Sequence, residues 1–181
     1  MNVSRTGSGL LIDLADEAET DRLGRAIAGA LLLEVVIGLV GPLGAGKTRL
    51  SRAIAEALGV DPRAIASPTF VLIHEYEGRI PVYHFDVYRL TSPAAFEDLG
   101  AADYWKAGGV CLVEWADRVR DLLPADAWWI AIEPLDGSSR RVRIDFPEAS
   151  PPLSDRLETA LGGGADPSNK AAPNAPHATN C

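Results

Sequence analysis

The sequence predicts an α/β fold in three layers, with a central, mostly parallel sheet flanked by helices. Residues 34–40 form a short apolar run rich in β-branched residues, which is typical of a buried parallel strand. Residues 41–48 are rich in glycine, and Leu50, Ile54 and Leu58 then recur at the spacing of one helix face. A strand, a glycine loop and a helix therefore follow one another without a break.

The glycine-rich loop matches a phosphate-binding pattern. It reads Gly41-Pro42-Leu43-Gly44-Ala45-Gly46-Lys47-Thr48, which fits G-x-x-x-x-G-K-[ST]. In such a P-loop the backbone N–H groups turn toward the β-phosphate, and the helix N-terminus adds partial positive charge. Lys47 would then reach the β- and γ-phosphates, and the Thr48 hydroxyl would hold Mg²⁺. Pro42 removes one amide donor at the mouth of the loop. A chance glycine-rich turn is disfavoured by the flanking strand and helix, so we predict a P-loop NTPase-like fold.

The elements around this unit follow from periodicity and capping signals. A first helix is predicted over residues 16–33, with Asp13 or Asp16 as its cap. The P-loop helix is predicted to end near Leu58, where Gly59 suits a C-cap. Two strands follow over residues 70–76 and 80–87, and Glu77-Gly78-Arg79 between them is a hairpin signal.

The second half of the chain is predicted to complete the sheet. A short helix should follow Ser92-Pro93, and residues 110–113 form a second buried strand. Residues 128–133 and 141–146 are predicted as a closing pair of strands, and residues 153–161 as a last helix. We therefore expect one P-loop domain over residues 1–161. Residues 162–181 contain almost no large apolar side chain and are predicted to be a disordered tail.

The composition indicates a soluble globular protein. The chain has 181 residues, of which 47% are hydrophobic and 23% are charged, and its formal net charge is −8. We see no signal peptide and no membrane-spanning segment, and the two cysteines do not make a disulfide framework. A cytoplasmic location is the simplest expectation. The negative charge argues against a large basic surface for nucleic acid, so a role in RNA metabolism would run through partner proteins.

Three segments beyond the P-loop could contribute to nucleotide chemistry. Glu114 ends an apolar strand at the edge where α/β sheets place their ligands, and it could hold Mg²⁺ or orient water. His84 and Asp86 share one face of their strand, although a solvent-facing strand would give the same alternation. By itself His84 fits a hydrogen-bonded structural histidine better than a ligand. Thr69, in Ser67-Pro68-Thr69-Phe70, occupies the region that supplies a switch threonine in P-loop GTPases.

Taken together, these motifs resemble the TsaE (YjeE-type) ATPases of bacterial threonylcarbamoyladenosine biosynthesis. The matching segments, in order, are GPLGAGKT, SPTF, YHFDVYRL, Phe96-Glu97-Asp98-Leu99-Gly100, Val113-Glu114-Trp115 and Leu123-Pro124. The resemblance covers roughly residues 17–144, and the combination in this order is far more specific than any one motif. It implies a small α/β P-loop ATPase that works with TsaB and TsaD, supporting turnover of the complex while TsaD performs the carbamoyl transfer. tRNA would then be met only indirectly, through the complex.

The resemblance also implies roles for individual residues. Lys47 and Thr48 would take the Walker A roles with ATP and Mg²⁺, and Thr69 would be the switch-like threonine. Asp86 matches the acid of the H-x-D-x-Y-R motif, and Glu114 matches the Walker B-like acid; the resemblance implies that both acids serve catalysis and bind Mg²⁺ together with Thr48. Three further nucleotide contacts are implied, at Trp115, Asp117 and Arg140. The family usually carries Asp at the position of Pro42, so any contact that this Asp makes is absent here.

Two other functions use the same motifs. A small P-loop kinase would transfer phosphate to a metabolite, but such kinases usually carry an arginine-bearing lid, and Arg118 and Arg120 are the only nearby cluster after Glu114. A nucleotide-loaded binding module would recruit partners without hydrolysis. Every residue above would serve binding as well as catalysis, so the sequence leaves this alternative open.

Overall fold

The structure is a computed structural model, and it describes residues 1–31, 34–65, 72–147 and 151–162. The strands are β1 (Asn2–Arg5), β2 (Gly9–Leu14), β3 (Val35–Val40), β4 (Ile73–Tyr76), β5 (Val82–Asp86), β6 (Val110–Glu114), β7 (Trp128–Pro134) and β8 (Arg140–Asp145). The helices are α1 (Glu17–Ala30), α2 (Lys47–Ala57), α3 (Pro93–Glu97), α4 (Ala101–Tyr104) and α5 (Pro151–Gly162), and a 3₁₀ helix spans Ala116–Leu122.

All of these strands belong to one mixed sheet, in the order β1-β2-β8-β7-β3-β6-β5-β4. The four central strands, β7, β3, β6 and β5, run parallel to one another. Antiparallel strands extend the sheet on both sides, through β8, β2 and β1 at one edge and through β4 at the other. The predicted mixed α/β sheet with a parallel centre is therefore confirmed.

Apolar side chains cover both faces of the sheet because neighbouring residues of a strand point to opposite sides. On one face Ile37 and Leu112 belong to a core shared with Leu23 of α1 and Leu50 of α2. On the other face Val36, Cys111 and Val113 belong to a second core, which includes Phe96 of α3 and Val119 of the 3₁₀ helix. Helices on both faces give the three predicted layers. Helix α1 is capped by Asp16, whose carboxylate accepts from the Glu19 amide at 2.9 Å, so Asp16 rather than Asp13 is the cap.

Several boundaries differ from the sequence prediction. Strands β1 and β2 were not predicted, because the run Gly9–Leu14 lacks a period-two alternation in sequence even though it is buried at every second residue in the sheet. The hairpin of β4 and β5 is confirmed. Strand β5 is shorter than predicted, whereas residues 70 and 71 of the first predicted strand lie outside the described residues. Helix α4 and the 3₁₀ helix are too short to carry a helical period. The predicted tail falls almost wholly on residues 163–181, which lie outside the described residues.

Candidate active site

The predicted site residues converge on the carboxyl edge of the parallel strands. The P-loop follows β3, Asp86 is the last residue of β5, and Glu114 is the last residue of β6. Glu114 lies beside Leu39 of β3 on one side and beside Asp86 of β5 on the other. Parallel strands bring their carboxyl ends to one edge, so three separate sequence segments form one site.

Glycines give the P-loop its shape. Gly41, Gly44 and Gly46 have φ angles of 144°, 77° and 105°, in the region that disfavours residues with a β-carbon. At Gly41 there is also no room, because a β-carbon would stand 2.3 Å from the carbonyl oxygen of Ile132. The loop ends at the N-terminus of α2, whose first residue is Lys47. The amides of this first turn have no acceptor within the helix and point toward the loop.

The Lys47 side chain is held over the loop. Its Nζ donates to the carbonyl oxygens of Gly41 at 2.7 Å and Pro42 at 2.9 Å. The same Nζ lies 3.6 Å from the centre of the Trp115 ring, a cation–π contact. These three contacts fix the ammonium group beside the P-loop.

The charge of Lys47 is set by opposing influences. Burial lowers the pKa of Lys47 below its ordinary value, because removal from water disfavours the charged form. The carboxylates of Glu114, Asp117 and Asp86 oppose this shift by attraction. All three acids therefore lie close enough to act electrostatically on the P-loop lysine.

Glu114 lies at the centre of a buried hydrogen-bond network. Its carboxylate is only 2% exposed, and both oxygens are bonded. The Thr48 hydroxyl donates to Oε2 at 2.8 Å, and His84 Nε2 lies 2.7 Å from Oε1. The network thus joins the predicted Walker A threonine to the predicted Walker B-like acid, with a histidine on the far side of the carboxylate.

Trp115 takes its position through an unusual backbone conformation. Its φ of 61° is in the left-handed region, where a bulky residue is rare. This turn between β6 and the 3₁₀ helix places the indole over Lys47 and against Tyr88, with ring centres 4.7 Å apart. Arg118 donates to the carbonyl oxygen of Tyr88. The left-handed residue is typical of functional sites that hold a side chain in one orientation.

Arg140 approaches the P-loop from the start of β8. It is 9% exposed and donates from Nη2 to the carbonyl oxygen of Ser138 at 3.0 Å. Its other terminal nitrogen, Nη1, lies against Gly46, since a β-carbon there would stand 2.9 Å away. A guanidinium in this position can reach an anion bound at the loop.

The structure therefore brings together all but one of the predicted site residues. The P-loop, Asp86, Glu114, Trp115, Asp117 and Arg140 gather at the same edge, while Thr69 lies outside the described residues. Their roles in binding and catalysis stay predictions. Sequence reasoning treated His84 as a structural histidine and missed its contact with Glu114. The contact follows from the pairing of β5 with β6, and no short sequence pattern indicates which strands pair.

The described residues contain no cluster of three or more histidine, cysteine, aspartate or glutamate side chains arranged to hold a metal ion. The oxygen atoms of Thr48 and Glu114 nevertheless suit Mg²⁺, which is commonly bound by one or two protein groups together with substrate phosphates and water. Across the same described ranges, no helix is both long and apolar enough to span a bilayer.

Comparisons with known proteins agree on one family. The model of the family described as "Threonylcarbamoyl adenosine biosynthesis protein TsaE" matches residues 14–142. A tRNA threonylcarbamoyladenosine biosynthesis protein TsaE from Bacillus subtilis is 40% identical over 125 residues, covering 68% of this chain and 77% of the relative. Proteins of the same name from Aquifex aeolicus and Rickettsia felis are 40% and 33% identical, covering 72% and 82% of this chain and 92% of each relative. The crystal structure of YdiB from Bacillus subtilis superposes with a TM-score of 0.65 at 30% identity, covering 88% of this chain and 96% of that one.

Proposed function

This chain belongs to the TsaE family, and we propose that it is the Mg²⁺-dependent ATPase subunit that supports threonylcarbamoyladenosine modification of tRNA. Its relatives carry the name of that biosynthetic process. In this proposal the protein acts in the cytoplasm with TsaB- and TsaD-type partners. It supplies nucleotide-driven turnover of the complex rather than the carbamoyl transfer.

The observation that carries the proposal is the contact between the P-loop and the buried acid. Thr48 and Glu114 come from separate segments, and their oxygens are 2.8 Å apart at the N-terminus of α2. A hydroxyl and a carboxylate beside a phosphate-binding loop are the protein groups that P-loop NTPases use to hold Mg²⁺. Mg²⁺ bound there would neutralise charge that develops on the phosphate oxygens.

Lys47 would bind the nucleotide by exchanging its partners. Its ammonium group is bonded to two neutral carbonyl oxygens, and charged phosphate oxygens are stronger acceptors for the same donors. The same ammonium group contacts the Trp115 ring, so it is held beside the loop where phosphate would bind. Trp115 would then restrict the lysine to the side of the loop that faces the phosphates.

The remaining residues would place groups of opposite charge around the triphosphate. Arg140 adds positive charge next to Gly46, where phosphate oxygens approach the loop amides. Asp86 and Glu114 end neighbouring strands and offer the carboxylates that could orient an attacking water. Asp86 Oδ1 also accepts from the Tyr88 amide at 3.0 Å, which fixes its direction.

The proposal of partner proteins rests on the family and on the negative charge of this chain. A net charge of −8 makes the protein a poor match for the phosphate backbone of tRNA. We therefore place tRNA on the partner proteins, with the ATPase acting on the complex.

The test is ATP turnover by the purified chain with Mg²⁺, measured alone and with TsaB and TsaD from the same source. The proposal expects slow hydrolysis alone, faster hydrolysis with the partners, and loss of both in Lys47→Ala. Metabolite-dependent ADP formation without partners would instead indicate a kinase. If the chain binds ATP but does not hydrolyse it, either alone or with the partners present, the result would indicate a binding module.

A further inference from the structure

His84 is a buried polar side chain whose position the proposed roles above do not use. It is 2% exposed, and its Nε2 lies 2.7 Å from Oε1 of Glu114. A carboxylate that binds a cation can only accept, so Nε2 is the donor in the cation-binding form of this pair. We infer that His84 is a positioning residue that holds the Glu114 carboxylate in the orientation that binds the divalent cation. This inference rests on the proposed Mg²⁺-dependent function.

The sheet explains why this contact is well defined. In the parallel pair of β5 and β6, His84 lies beside Leu112 and Asp86 lies beside Glu114. Side chains two residues apart on a strand share a face, so His84 and Glu114 are diagonal neighbours on the α2 side of the sheet. Both belong to central strands, which leaves the imidazole little freedom to move away.

The two oxygens of Glu114 have different partners, and this difference matters for metal binding. Oε2 faces Thr48, the other protein group proposed for the cation, whereas Oε1 faces His84. The bond from Thr48 is on the cation side and changes when the cation binds. The bond from His84 is on the opposite oxygen and can persist, so it is the contact that fixes the carboxylate plane in both states. Hydrogen bonds behind a metal-binding carboxylate typically change metal affinity or activity by about 10–100-fold.

The alternative is that His84 only satisfies a buried position and supports folding. The neighbouring histidine provides the comparison, since His74 of β4 lies directly beside His84 in the sheet. His74 stacks on Tyr76, with ring centres 5.7 Å apart, and its Nε2 has no hydrogen-bond partner among the described residues. A general disturbance of the β4–β5 hairpin would appear in variants of either histidine, whereas a positioning role belongs to His84 alone.

The experiment compares His84→Gln, His84→Asn and His84→Ala with His74→Gln. Glutamine can place an amide nitrogen near the position of Nε2, whereas asparagine is one bond shorter and alanine has no donor. Mn²⁺ is used as the probe, and its dissociation constant from the protein–ADP complex is measured by electron paramagnetic resonance. ADP affinity without metal and thermal melting are measured in parallel, since a purely structural role would change the melting temperature and leave the Mn²⁺ affinity of the folded variants alike.

We expect Mn²⁺ binding to weaken about 10–100-fold in His84→Asn and His84→Ala, with metal-free ADP affinity unchanged. His84→Gln should bind Mn²⁺ nearly as well as the unmodified protein, and the control His74→Gln should have the same Mn²⁺ affinity as the unmodified protein. Equal Mn²⁺ affinity in all four variants would overturn the inference, as would an unmodified protein that binds no Mn²⁺ with ADP. If His84→Ala fails to fold, the difference in Mn²⁺ affinity between His84→Gln and His84→Asn still tests the inference. The expected Mn²⁺ pattern without ATP hydrolysis would refute the proposed function and leave the role of His84 standing.

Discussion

Helix α1 touches the P-loop helix at Gly24, and alanine at this position is expected to destabilise the protein. A β-carbon there would stand 2.5 Å from the β-carbon of Ala53 and 3.1 Å from the Ala53 carbonyl carbon and the Ile54 amide nitrogen. Two carbon atoms pack best at about 3.5–4.0 Å, so the helices would have to separate by roughly 1 Å. Because two of the three close atoms belong to the α2 backbone, no side-chain rotation relieves the contact.

The magnitude follows from two opposing effects. Alanine in place of glycine favours a helix by about 0.5–1 kcal/mol, because the unfolded chain has less freedom to lose. Extra volume in a packed interface costs about 1–3 kcal/mol. The net expectation for Gly24→Ala is a loss of about 1–2 kcal/mol, or a melting temperature lower by about 2–8 °C for a chain of this size.

Gly29 in the same helix provides the matched control. It is exposed, and a β-carbon there would meet no atom within 4 Å. Gly29→Ala should therefore raise the free energy of unfolding by about 0.5 kcal/mol, since only the helix preference acts. Urea and thermal unfolding of both variants, with ATP affinity measured alongside, test the pair. Since α2 carries Lys47 at its first turn, Gly24→Ala should also weaken ATP binding. A Gly24→Ala protein as stable as Gly29→Ala would refute the reasoning.

Further variants test the site and the core. Glu114→Gln should reduce Mg²⁺-dependent ATP turnover by more than about 100-fold while leaving metal-free ADP binding intact, because loss of a residue that only supports a metal ligand already costs about 10–100-fold. The exposed Glu133→Gln should behave as the unmodified protein. Arg140→Ala removes a charged donor beside the loop and should weaken ATP binding about 10–100-fold in a calorimetric titration, and an unchanged affinity would exclude this contact. Its control is Arg143→Ala on the same strand, whose side chain is 59% exposed and pairs with Asp145. Burial raises the pKa of Cys111 to about 12, so alkylation of its peptide at pH 8 should be far slower in native protein than in urea. Fast native labelling at this residue would contradict the buried second core.

The parts of the site that the sequence predicts are those that one short segment specifies. The P-loop, its strand and its helix are contiguous, and Glu114 follows an apolar run that is typical of a buried strand. The pairing of His84 with Glu114 depends on β5 lying next to β6, which is a property of the whole sheet. The left-handed backbone at Trp115 is equally invisible in sequence, because no glycine or asparagine marks it.

The N-terminal strands show the same limit. Val3 lies on β1, the edge strand, and Leu11 lies on β2, which joins the hairpin to the sheet by pairing with β8, more than a hundred residues away in sequence. Local propensity gives little guidance to such an edge, because strand preference depends on what packs against it. The role of Thr69 stays a prediction that the described residues do not reach.

The most direct test of the central claim is the threonylcarbamoyladenosine content of tRNA in cells that depend on this chain. A bacterial strain depleted of its own TsaE would express the unmodified protein or Lys47→Ala, and nucleosides from digested tRNA would be quantified by mass spectrometry. We predict that the unmodified protein restores the modified nucleoside and that Lys47→Ala does not, although both accumulate to the same level. Restoration by Lys47→Ala, or none by the unmodified protein together with its cognate partners, would contradict the proposed function.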